Sequence, residues 1–150
     1  MADRLQELLD RVDIGEVLAR YCSALDARDW TGLEAVFTPD AGCDYGALGN
    51  PHGAAEIASL IRSTIGDLDA TQHLIGNVTV TVQGDTATAD CSLIAQHIRA
   101  DTPGGDHYLL GGRYSDRLVR TPEGWRIAHR TLHRIWTTGN RDVVRRPGSS

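Results

Sequence analysis

Apolar residues recur at helical spacing from the start of the chain. Leu5, Leu8, Leu9 and Val12 predict a first amphipathic helix, and Asp13 followed by Glu16 reads as a capping box that restarts a second one. In that second helix Ile14, Val17, Leu18, Tyr21, Cys22 and Leu25 form one stripe, with Asp26 one turn beyond Cys22 at the stripe's edge. The sequence Asp29-Trp30-Thr31-Gly32 breaks the pattern. A short helix over 33–37 is expected to stop at Thr38-Pro39-Asp40, and a Gly-rich stretch with a short strand near 43–45 follows. Ala54, Ile57, Leu60 and Ile61 predict a third helix over 53–64.

After Asp69 the period changes from helical to alternating. Val78, Val80 and Val82 alternate with Thr79 and Thr81, and Gln83-Gly84-Asp85 makes a turn. Long strands are predicted over 86–99, 107–120 and 125–137, separated by the loop 101–106 and the turn 121–124. Helices first and a strand meander afterwards predict an α+β fold: helices on one face of a curved antiparallel sheet, a cone with a pocket at its wide end. The expected organisation is one domain over 1–140 and a tail over 141–150, where Pro147 and the terminal Gly-Ser-Ser end regular structure. A chain of 150 residues suits a single domain.

Composition narrows the chemistry. All 15 basic residues are Arg, so a lysine Schiff base and a Walker-type phosphate loop are excluded. A net charge of -5 argues against a nucleic-acid binder. No apolar run approaches the roughly 18 residues of a membrane helix, and the charged start MADRLQELLDRVD has no secretory core, so a cytoplasmic protein that engages no membrane is expected. Cys22, Cys43 and Cys91 are odd in number and lack CxxC spacing, which predicts reduced thiols acting as small apolar residues. His129 and His133 would chelate zinc only on a helix; on a strand they lie about 13 Å apart.

The stretches RYCSALDARDW, LEAVFTPDA, HGAAEI and GGRYSDRLVRTPEGWRIAHR, with this element order, resemble the SnoaL-like branch of the NTF2-like superfamily from about residue 11 to 136. That superfold hosts dehydratases, isomerases, cyclases and binding modules, so function must be argued from the site. Finer matches are to the scytalone dehydratase, hexachlorocyclohexane dehydrochlorinase and bile acid 7α-dehydratase branch. The resemblance implies that Asp26 pairs with His73, that Tyr21 occupies the place of the tyrosine preceding that Asp, and that Arg130 matches a last-strand arginine. Eliminations need a base near neutrality and donors for developing negative charge. His73 is accordingly the expected base, oriented by Asp26, with Tyr21 and Arg130 stabilising a leaving group or oxyanion. Period-2 alternation puts Ala128, Arg130, Leu132 and Trp136 on the pocket side of the last strand, and His129, Thr131, His133 and Ile135 outside. Cys22, Leu25, Tyr45, His97, Leu132 and Trp136 are the expected substrate contacts, and His52 a loop residue.

The expected activity is a cofactor-independent, metal-free lyase of dehydratase type on a small apolar cyclic or polyketide-like molecule. Two alternatives stay open. A ketosteroid-isomerase-like isomerase or polyketide cyclase would use Tyr21 and draw on Asp44 as proton shuttle, and a non-catalytic binding module would use the Asp26–His73 pair only to satisfy buried polar groups. The resemblance also implies a homo-oligomer, dimer or trimer, formed through the outer sheet face; whether the tail covers the pocket mouth of its own or a neighbouring subunit stays open.

Overall fold

The computed structural model describes residues 1–145. In chain order the elements are α1 (Ala2–Ala27), α2 (Trp30–Ala35), β1 (Phe37–Asp44), a 3-10 turn (Gly46–Leu48), α3 (Ala54–Ile65), β2 (Ala70–Gln83), β3 (Thr86–Ile98), β4 (His107–Thr121), β5 (Gly124–Gly139) and a last 3-10 turn (Arg141–Val143). The strands form one sheet in the order β1-β5-β4-β3-β2. The helices cover its inner face, and the core lies between them. The fold is the expected α+β cone, but the sheet is mixed: β1 runs parallel to β5, and the other neighbours are antiparallel.

The start of the chain departs from the sequence pattern. One continuous 26-residue helix replaces the two predicted, with Asp13 in its interior rather than at a cap. Nothing between Val12 and Ile14 breaks a helix, so spacing alone could not mark a boundary. The buried face of its first half is not the leucine stripe either. Leu5, Leu8, Leu9 and Val12 are about half exposed, whereas Asp10 is buried. The Asp10 carboxylate accepts from both terminal nitrogens of Arg120 (2.7 and 2.9 Å) and from the Trp125 indole (3.0 Å), and Arg120 stacks over that indole. These bonds, Arg120 first, hold the Asp10 carboxyl down at about 2. A polar anchor therefore docks this half of α1 on the turn between β4 and β5.

Two further corrections concern local period. Asp29 caps α2 by accepting from the Gly32 N–H at 2.9 Å, so the helix starts at Trp30, and Phe37 opens β1 instead of closing a helix. In β2 an extra residue at Asn77, with φ 52°, turns Val78 outward while Val80 stays buried.

The last strand carries two bulges. Register slips by one residue at Ala128 and again at Ile135, so neither fits a strict in-out alternation. The first keeps Arg130 and Leu132 on the inner face. The second sends Trp136 to the outer face, where it is 45% exposed and lies across Gly111, in space that a Cβ there would claim. Trp136 is thus not a pocket residue, and Ala128 is the bulged position rather than an inward one.

The chain after β5 folds back on the domain. Val143 is fully buried and its carbonyl accepts from Arg99 at 3.0 Å, while the Asn140 amide donates to the carbonyls of Pro103 and Gly105. The described part of the expected tail therefore packs against the domain; Pro147 and the residues around it lie outside the described residues. No helix among the described residues is long and apolar enough to cross a membrane.

Candidate active site

The end of α1 and the start of β2 meet at Asp26 and His73, 47 residues apart in sequence. α1 stops because Arg28 adopts a left-handed conformation (φ 58°), which leaves Asp26 in the last turn. The Arg28 guanidinium donates to the carbonyls of Leu25 and Leu68 and to the Thr71 hydroxyl at 2.8 Å. With its oxygen occupied from that side, the Thr71 hydroxyl donates to Asp26 Oδ1 at 3.0 Å. The same carboxylate accepts the His73 backbone N–H at 2.9 Å and meets His73 Nδ1 at 2.7 Å. Burial alone would raise the Asp26 pKa. The bonds from the His73 ring, its backbone and Thr71 outweigh that and hold the carboxyl below its ordinary value. An ionised carboxylate only accepts, so His73 donates from Nδ1, and in the neutral ring the lone pair then lies on Nε2.

His73 lines a cavity of about 160 Å³ between the helices and the inner sheet face. Leu25, Tyr45, His97 and Leu132 line it as well, as does Tyr21. The Tyr21 and Tyr45 hydroxyls are 2.9 Å apart, and burial raises both phenol pKa values, so both stay protonated. A hydroxyl pair spends one proton on its mutual bond and has a second to offer a ligand oxygen. The His97 ring stands 5.8 Å from that of His73, edge to face. Its Nδ1 donates to the Tyr108 carbonyl at 3.2 Å, and burial, then the nearby His73, depress its pKa to about 4. His97 is therefore a neutral wall near neutral pH.

Two expected site residues lie behind the cavity rather than in it. Arg130 is fully buried and donates to both Asp116 oxygens at 2.7 Å, an ion pair that keeps it charged against the cost of burial. Its guanidinium is sandwiched between the rings of Tyr21 (4.1 Å) and Tyr114 (3.9 Å). It does not line the cavity and acts there only through those rings, its charge partly offsetting the effect of burial on the Tyr21 phenol. Cys22 is buried beside this cluster and also lies outside the lining, its thiol pushed up by burial to about 12. Asp44 is exposed and accepts from the Gly46 N–H at 2.9 Å, away from the cavity. The residues that sequence reasoning missed are Asp116, Tyr114 and the Arg28–Thr71 pair. Asp116 left one legible signal, a charged residue in step with Tyr114 and Leu118 on the apolar face of β4.

All three cysteines are buried and unpaired. Among the described residues no group of three or more His, Cys, Asp or Glu side chains is placed to hold a metal ion.

Comparison with known proteins agrees with this architecture. The profile of the SnoaL-like domain matches residues 6–131. An uncharacterised protein of Mycobacterium tuberculosis is 38% identical over 128 residues, which are 83% of this chain and 84% of the relative. A solved NTF2-like protein with a cystatin-like fold from Novosphingobium aromaticivorans is 34% identical, with TM-score 0.71 over 87% of this chain and 85% of its own. A type 2 hexachlorocyclohexane dehydrochlorinase superposes with TM-score 0.82 over 98% and 99% of the two chains at 16% identity, a likeness of fold alone.

Proposed function

The chain belongs to the SnoaL-like domain family, and on that premise we propose that it is a lyase needing no cofactor, which eliminates water or a hydrogen halide from a small apolar cyclic substrate. The observation that carries this reading is the 2.7 Å contact between Asp26 and His73 Nδ1 at the wall of an apolar cavity. His73 Nε2 takes a proton from the carbon next to the leaving group. The C–H electron pair becomes the new double bond, and the leaving group departs with its own bonding pair. A departing hydroxide takes the spare proton of the Tyr21–Tyr45 pair and leaves as water, and the His73 imidazolium, stabilised by Asp26, returns a proton to the phenolate; a departing halide leaves as the anion, and the imidazolium gives its proton to water. Arg130, close under the Tyr21 ring, eases that transient negative charge.

The same base and donors would serve an isomerisation, but the exposed Asp44 leaves the cavity without the second carboxylate that such a proton shuttle draws on. Mass analysis separates the readings. Incubation with cyclic alcohols and halides carrying an acidic neighbouring C–H should release water or halide; a product of unchanged mass would mean isomerisation, and binding without turnover across the panel a non-catalytic module.

A homo-oligomer built on the outer sheet face fits the exposed side chains there. Leu74 pairs with Ile94, Ile94 with Gly111 and Gly111 with Trp136, a continuous apolar row across four strands. Sedimentation should show a dimer or trimer of the 16.3 kDa chain, and Trp136→Glu should convert it to monomer; a wild-type monomer would refute this use of the face.

A further inference from the structure

We propose that the substrate is amphipathic, and that Arg134, Arg141 and Arg145 at the cavity mouth bind a carboxylate or phosphate group on it while its apolar body reaches His73. The inference rests on the cavity being the reaction site and adds the chemical class of what enters. A second recess, of about 500 Å³, opens beside the cavity. The two share Leu48, Thr64, Tyr108, Arg134 and Val144 in their walls, so the recess adjoins the cavity on the side of Arg134. The inner part is lined by Leu25, Ile61, Leu93, Leu110 and Leu132; roughly 150 Å³ of such space takes a benzene-sized ring. Among the described residues the outer part is lined by three arginines and no carboxylate. In a chain of net charge -5, that is a local reversal of sign.

Among the described residues these guanidinium groups are little engaged by the protein. Arg134 and Arg141 have no hydrogen-bond or ion-pair partner among the described residues, and Arg145 has only an exposed contact of 3.5 Å with Asp142. Arg99, Arg120 and Arg130 by contrast each meet a carboxylate. The fold positions the three deliberately placed groups from two directions. Arg134 follows Leu132 on the inner face just before the Ile135 bulge, opposite Gly112, which contributes no side chain there. Arg141 opens the last 3-10 turn and Arg145 follows it, the turn being pinned by the buried Val143 and by Asn140. Planar guanidinium forks suit the paired oxygens of carboxylate and phosphate.

Calorimetric titration of the full chain with phenylbutyrate against phenylbutyramide, and with phenyl phosphate against phenol, tests this without turnover. At least one anion should bind about tenfold more tightly than its neutral counterpart, and that preference should shrink as salt is added. A preference for phenylbutyrate assigns the charge to a carboxylate on the substrate itself, and one for phenyl phosphate to a phosphorylated substrate or carrier. The Arg134→Gln/Arg141→Gln double variant should lose the preference while its affinity for the neutral probes and its thermal midpoint stay put. His73→Ala should keep the preference. Equal affinity for charged and neutral probes, no measurable binding of either anion, or a preference surviving in the double variant would overturn the proposal. Failure of the elimination chemistry alone leaves this result standing, and the converse also holds.

Discussion

His73→Ala is expected to lower kcat by about 10²–10⁴, the usual worth of a general base, with little change in thermal midpoint. Asp26→Asn should cost a comparable factor for a different reason. The Asn amide can donate to Nδ1, which would move the imidazole proton to Nε2 and remove the lone pair from the cavity side. It would also replace an oxygen that now takes the His73 backbone N–H or the Thr71 hydroxyl. Arg28→Met should give a smaller loss in kcat with KM little changed, because it frees Thr71 to turn its hydroxyl away from Asp26 without touching substrate. Steady-state kinetics on the eliminated substrate, with circular dichroism to verify folding, measures all three. Activity within about tenfold of wild type in both His73→Ala and Asp26→Asn would remove the dyad from the mechanism.

The largest stability effect should come from a residue that touches no substrate. Asp116→Ala leaves the fully buried Arg130 charge without its carboxylate. Breaking a buried pair from one side costs about 3–5 kcal/mol, which for a chain of this size means a fall of roughly 10 °C or more in Tm. Replacing both partners by apolar residues, Asp116→Leu with Arg130→Met, should recover much of that, because no charge is then stranded. Urea unfolding of the single and double variants gives the comparison, and a single variant within about 1 kcal/mol of wild type would contradict the account. The double variant also separates folding from chemistry: stable protein with weakened turnover would show that the guanidinium under Tyr21 matters to the hydroxyl above it.

Much of the architecture was legible because period and turn chemistry agree along the chain. α3, β3 and β4 fall within a residue or two of their predicted spans, since their inward positions repeat without interruption and their ends carry Gly or Asp. The Asp26–His73 pairing was reachable only through family resemblance, as nothing local ties residues so far apart. Trp136 was misplaced because a bulge adds one residue with no compositional mark, and a single extra residue inverts every position after it. The leucine stripe misled for a related reason: periodicity reveals that a helix has an apolar face, not that the face is covered. Arg130 was found at the right address with the wrong neighbours. Its distance from the cavity depends on Tyr21 and Tyr114 closing over it from two other elements.

The position of β5 has a consequence for how the molecule is made. It is the last strand in sequence yet lies inside the sheet, between β4 and β1, and β1 pairs with no other strand. Until residues near Ile127 emerge, β1 has no strand to pair with, only the local backbone bonds to Pro51 and Gly53, and the ring of contacts joining the start of the chain to the sheet stays open. Closing a loop of about 90 residues costs entropy before any pairing repays it, which places this step late and makes it slow. Synthesis must therefore pass through β5 before the chamber around His73 exists at all.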